Sequence, residues 1–156
     1  MPRISASEAG GQNVCAFLDM LAVSEIGAAL LAKSDDGYNV LVGGQLFVSY
    51  ADHPNIYNQR FNSTAAGRYQ LLHRWWPAYR SLLQLPDFSP LSQDKVALQQ
   101  IHEQGAIPDI QAGRFDQAVM KVANIWASLP GNSYQQHQNA PSDLRAAYLA
   151  AGGTLA

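Results

Sequence analysis

Between Val14 and Glu25 the chain carries an apolar helical stripe that closes on a carboxylate. Val14, Phe17, Leu18 and Leu21 fall at three- and four-residue steps, which line them along one helix face, and continuing that series past Leu21 lands on Glu25. A helix of this kind must bury its stripe, so the pattern aims an ionisable group at the edge of a core. A carboxyl partly stripped of water has its charged form disfavoured and its pKa raised, the state in which it can still give up a proton as a general acid near neutrality. The residues alone leave two readings. Glu25 is a catalytic acid, or it is a solvated or salt-bridged group that ends an amphipathic helix.

With 156 residues, 47% of them hydrophobic, the chain is expected to form one domain over residues 1–156, with residues 1–12 as a flexible N-terminal arm. A net charge of -2 and a pI near 6.0 supply no basic field, which argues against a nucleic-acid partner held through phosphate neutralisation. The lone Cys15 has no internal disulfide partner and sits beside the apolar stripe as a small buried hydrophobe. Met1 to Gly11 lacks the apolar stretch of a signal peptide, and no later run has the length to cross a bilayer, so neither export nor membrane insertion is expected.

Along the chain, Asn13 is expected to cap the first helix, which should stop between Ser24 and Gly27, and Asp35-Asp36-Gly37 is a turn signal. From Tyr38 the period becomes two. Tyr38, Val40 and Val42 alternate with Asn39 and Leu41, and after Gly43-Gly44 a second run covers Gln45 to Tyr50, the pattern of a hairpin. Ser63 is expected to cap a helix through Ala66, Tyr69 or Gln70, Leu72 and Trp76, with a break or a new helix at Pro77. Ser92 is read as the cap of the next helix. Phe115, Ala118, Val119, Val122, Ile125, Trp126 and Leu129 form the longest helical signature, stopped by Pro130-Gly131 and expected as the central helix. A last helix spans Ser142 to Ala151. The sum is an α+β class, mostly helical with one small antiparallel sheet near the first helix.

Metal chemistry finds no support, because His53, His73, His102 and His137 are scattered and one cysteine builds no zinc site. No cofactor is implied either: the chain has no phosphate-cradling glycine loop and no Gly-x-Ser-x-Gly elbow for a nucleophilic serine. Carboxylates remain. Asp35, Asp36 or Asp52 could pair with Glu25 for a two-carboxylate glycoside hydrolysis, or each could serve only its turn. Tyr50, Tyr57 and Tyr134 stand among Asn, Gln and Ser, a composition suited to stacking on and hydrogen bonding to sugars.

These residues also resemble a known family, the endolysins of lambda-type phages. The resemblance rests on Ala16 to Ala22 with Ser24-Glu25, on Gly37-Tyr38, Val42-Gly43-Gly44, Asp52-His53-Pro54 and Ala66 to Leu72, and on Trp75-Trp76, Asp87 to Pro90, Val96 to Ile101 and Asn124 to Gly131, in the same order. It implies a lysozyme-like fold and a peptidoglycan lytic transglycosylase, with glycan strands as the partner and the chain acting as a monomer. It places the single catalytic glutamate at Glu25 and sugar contacts at Gln70 and in the Ser128 to Gln135 loop, hence Ser128, Tyr134 and Gln135, while Tyr69 is either a sugar contact or a packing buttress. It further implies synthesis in the host cytoplasm and action on the wall once a membrane pore opens. The chain departs from the family's usual pattern at Val23, where Trp is usual, and at Ile26-Gly27, where Gly-Thr usually follows the glutamate.

Overall fold

A computed structural model describes residues 1–131 and 138–156. The described helices are α1 (Ala6–Ala9), α2 (Gln12–Ile26), α3 (Ala28–Ala32), α4 (Trp76–Leu83) after a 3-10 turn at His73–Trp75, α5 (Pro90–Glu103), α6 (Ile107–Gln111), α7 (Phe115–Val122) and α8 (Pro141–Ala150). None is long and apolar enough to cross a membrane. The central one is α2. It buries Val14, Cys15, Ala16, Phe17, Leu18, Met20, Leu21 and Ala22, a surface apolar almost all round, as a helix must be when neighbours surround it. Helices α1, α3, α6 and α8 pack against it.

The stripe from Phe115 to Leu129 is therefore not the central helix. Its helical part ends at Val122, and the chain then turns, yet Trp126 and Leu129 remain buried in the same core. Periodicity marked the buried positions correctly and the helix length wrongly. Caps shifted in the same way: Ser89 caps α5 one residue before Pro90, and the first cap of α2 is Gly11. Asn13 instead holds the far end of the chain, accepting from the Thr154 N–H at 2.9 Å and donating to the Ile110 carbonyl at 3.2 Å.

The α+β class is overturned: among the described residues the structure is helical, with isolated β-bridges and no strand or sheet. Gly43-Gly44 does turn the chain, so that Val40 faces Leu46 and the Phe47 N–H reaches the Asn39 carbonyl at 2.9 Å. The ladder goes no further because its next groups are taken by other partners. The Val42 N–H bonds the Ala65 carbonyl at 2.9 Å, while the Val40 carbonyl accepts from the Gly67 N–H at 2.8 Å and from Gln70 Nε2 at 3.2 Å. A hairpin pattern thus became a set of crossed loops whose backbone is satisfied through turns and side chains.

Nor does Ser63 to Leu72 form a helix. Gly67 has φ +84°, and a Cβ there would collide with the side chain of Gln93, which is buried in α5. Gln93 staples this loop by accepting from the Arg68 N–H at 3.0 Å and donating to the carbonyls of Tyr38 and Phe88 at 3.1 and 2.9 Å. One residue along α5, the fully buried Asp94 receives Tyr38 and Tyr69 hydroxyls at 2.8 and 2.6 Å, with the N–H groups of Arg3 and Ile4 at 2.7 and 2.9 Å. The N-terminal residues, expected as a flexible arm, are tied down by these bonds, by burial of Ile4 and by the Ser5–Glu8 capping box of α1.

Asp94→Asn should lower the urea midpoint by an amount worth about 3 kcal/mol, because an amide offers its NH2 to at least one of four buried donors. A midpoint within error of the parent protein would show that these bonds do not hold the fold together.

Candidate active site

Glu25 is the penultimate residue of α2, and the helix closes behind it with the Gly27 N–H on the Val23 carbonyl. The side chain is partly buried, and Ser128 Oγ donates to its Oε1 at 2.5 Å. Ser128 Oγ also lies 2.7 Å from Ser24 Oγ, and Asn139 Nδ2 reaches Ser24 Oγ at 2.9 Å. Burial lifts the Glu25 pKa from its ordinary 4.5 to about 7, while the Ser128 hydrogen bond pulls it partly back. At neutral pH the group is therefore divided between acid and carboxylate, able to give a proton and to take one.

A groove of about 470 Å³ opens beside this end of the molecule, between Tyr69 to Leu72 with Trp75 and Tyr79 on one wall and Asn124 to Ala127 on the other. Glu25 does not line it. The second wall, however, runs directly from Ala127 into Ser128, the residue that grips Glu25. Trp75 is half exposed on the rim, with the Arg74 guanidinium 5.0 Å above its ring.

Of the residues expected at the site, the structure joins Glu25 to Ser128. Gln70 lines the groove, but with φ +53° its amide donates to the Gly67 and Val40 carbonyls at 2.9 and 3.2 Å and closes the loop. Tyr69 is 5% exposed, with its hydroxyl on Asp94 and its carbonyl accepting the Trp126 indole N–H at 3.0 Å, so its ring serves as a buttress. Tyr134 and Gln135 lie outside the described residues. The three candidate partner carboxylates are all engaged elsewhere. Asp35 takes Arg3 and the Tyr50 hydroxyl, each at 2.7 Å. Asp36 takes the terminal amine at 2.7 Å and Arg68 at 3.5 Å. Asp52 takes the Trp76 indole N–H at 2.6 Å, which together with the His53 N–H and Arg80 holds it below the usual carboxylate range. No group of three or more possible metal ligands occurs among the described residues. Ser24, Asn139 and Trp75 were not singled out as site residues by sequence. Ser24 and Trp75 had left a signal in the family resemblance, in the Ser-Glu pair and in Trp75-Trp76, and Asn139 had left none.

A helical body carrying a partly buried acid at the end of its central helix, beside an open groove, defines a lysozyme-like protein. Solved structures agree: the fold matches a bacteriophage lambda lysozyme complexed with a chitohexasaccharide at TM-score 0.87 and 49% identity, covering all of both chains. A second lysozyme from bacteriophage lambda matches at TM-score 0.84 and 48% identity, again over the whole of both. The Endolysin family profile spans residues 15–155. The endolysin of Escherichia phage lambda is 54% identical over 144 residues, 90% of this chain and 91% of its own, and that of Escherichia phage P2 is 48% identical over 158 residues, 93% and 96%. The chain belongs to the Endolysin family.

The raised pKa has a measurable effect on stability. Folded Glu25 keeps its proton up to about pH 7, whereas an unfolded glutamate loses it near 4.5. Stability therefore falls as pH rises through that window, and the loss is complete above it. Glu25→Gln has no charge to bury, so it should be more stable than the parent at pH 8, by on the order of 2 kcal/mol, and equal to it at pH 4. Thermal melts of both proteins at the two pH values test this; a variant that melts lower at pH 8 would show that the carboxylate stabilises the fold.

Proposed function

We propose that this protein cleaves the glycosidic bond between N-acetylmuramic acid and N-acetylglucosamine in peptidoglycan, as a lytic transglycosylase with Glu25 as its single acid and base. The observation that carries the reading is one partly buried carboxyl with a pKa near neutrality and no other candidate carboxylate left unengaged. Protonated Glu25 gives its proton to the glycosidic oxygen as the bond to the anomeric carbon breaks. The resulting carboxylate takes the proton of the muramic C6 hydroxyl, whose oxygen closes on its own anomeric carbon. A 1,6-anhydro ring forms, and the acid is restored for the next bond. Neither a water nor a second carboxylate enters.

The glycan strand occupies the groove, with Trp75 as an apolar platform for a sugar face and the Asn124 to Ala127 wall beside it. Gln70 shapes the opposite wall, Tyr69 to Leu72, through its loop. The binding of a chitohexasaccharide by the lambda lysozyme supports a glycan ligand here. The protein acts as a monomer, on the wall rather than where it is made.

Digestion of purified peptidoglycan should release muropeptides that end in anhydro-muramic acid, each one water lighter than a reducing product, as mass spectrometry reads directly. Reducing ends would replace this mechanism with hydrolysis. Glu25→Gln should lower turnover by at least about a hundredfold, the contribution of a positioned acid. Ser128→Ala removes a hydrogen bond to the charged form, so the alkaline limb of the pH profile should move up by about one unit; an unmoved limb would mean that Ser128 does not tune the acid.

A further inference from the structure

We infer that Ser24 and Asn139 are positioning residues for Glu25: they fix the direction of a hydrogen-bond chain that leaves the transferable proton on Oε2. The inference rests on the reading of Glu25 as the acid. It begins with the Asn139 amide, whose Nδ2 lies 3.2 Å from the Ser24 carbonyl, 3.3 Å from the Ser128 carbonyl and 2.9 Å from Ser24 Oγ. Two carbonyl oxygens can only accept, so the group facing them is the NH2 and not the amide oxygen. The Asn139 backbone N–H, on the Ser128 carbonyl at 2.8 Å, holds the side chain in that place.

From this donor we assign the remaining hydrogens one by one. Ser24 Oγ receives a hydrogen from Asn139, and its own is assigned to Ser128 Oγ, 2.7 Å away, as the arrangement in which Ser128 is left free to donate onward. Ser128 Oγ, having received that one, gives its single hydrogen to Glu25 Oε1 at 2.5 Å. Oε1 is thereby kept as an acceptor, and a protonated Glu25 carries its hydrogen on Oε2, which has no partner among the described residues. In the reaction the proton passes from Oε2 to the glycosidic oxygen and a proton returns to Oε2 from the attacking hydroxyl. The chain transmits no proton. It decides which oxygen is available, and it favours the carboxylate formed in between.

Few charged groups compete with it. Helix α3 carries none, Asp19 and Asp36 are paired with Arg68, Arg145 of α8 is paired with Asp116, and among the described residues burial and Ser128 are what set the Glu25 balance.

The test is a cycle of Ser24→Ala, Asn139→Ala and the double variant, with Ser24→Thr as the conservative control, assayed on purified peptidoglycan across pH. Each single variant should lower kcat about fivefold, the factor one neutral hydrogen bond carries, and move the alkaline limb up by roughly half a pH unit. Ser24→Ala should leave KM unchanged. The double variant should be no worse than a single one, since either cut frees the same chain, and Ser24→Thr should keep parental kcat and limb. Additive losses, or losses with an unmoved limb, would overturn the inference in favour of simple packing. Should an alanine variant melt below the assay temperature, the Glu25 carboxyl can be titrated by carbon-13 NMR in the cold, where an unshifted curve is equally fatal. A parent protein inactive on peptidoglycan would defeat the proposed reaction instead, while the NMR titration would still judge the chain.

Discussion

Asp94 gathers four donors from three separate stretches of chain onto one fully buried carboxylate, and the geometry of the cleft can be traced back to it. A carboxyl in that position is tolerable only when every lone pair is met. Meeting them fixes the N-terminal residues, the Tyr38 loop and the Tyr69 loop against α5. Arg68 extends the cluster by donating to Asp19 of α2 at 2.6 Å and to the Asp36 carbonyl at 2.9 Å. From Tyr69 the path goes on through its carbonyl to the Trp126 indole, and two residues beyond Trp126 stands Ser128. The acid and the polar core are therefore parts of one bonded framework. That also explains why Tyr69, quoted beside Gln70 in the family pattern, has no hydroxyl to spare for a sugar.

Sequence made the apolar half of this arrangement legible and hid the polar half. Val14, Phe17, Leu18 and Leu21 announced α2 and pointed to Glu25, and both the helix and the burial of its stripe are present. The same periodicity, applied to Phe115 through Leu129, predicted burial well and helix length badly, since a residue can fill a core from a turn as readily as from a helix. The hairpin failed for a different reason. Alternation reports which side chains face inward, but a strand needs a continuous partner, and here Ala65, Gly67, Asn58 and Gln70 intercept the backbone groups. Gln93, Asp94 and Asn139 carried no periodic signal at all. Most of their partners stand 25 to 115 positions away in the chain, which no local pattern encodes.

Around Glu25 two opposing influences act at the same atom. Burial favours the neutral acid, and a hydrogen bond from Ser128 favours the carboxylate. Burial alone would yield an acid slow to give up its proton; a well-solvated carboxylate would have none to give at neutral pH. A mechanism that uses one group as acid and then as base needs both states within easy reach, and the compromise near pH 7 supplies that. The departures from the usual family pattern at Val23 and Ile26-Gly27 sit on the turns of α2 next to the acid, yet the bonds that tune it come from Ser24, Ser128 and Asn139 and bypass those positions.

The fate of the aspartates bears on the same point. A two-carboxylate enzyme needs a second acid facing the scissile bond and free to act there. Asp35, Asp36 and Asp52 instead anchor Arg3, the chain terminus with Arg68, and Trp76. Freeing any one of them for chemistry would break one of these contacts. These three carboxylates are committed to holding the fold, whereas the one at the end of α2 is balanced by burial and Ser128, with no cation among the described residues offsetting its charge, which is why the proposed reaction is assigned to it.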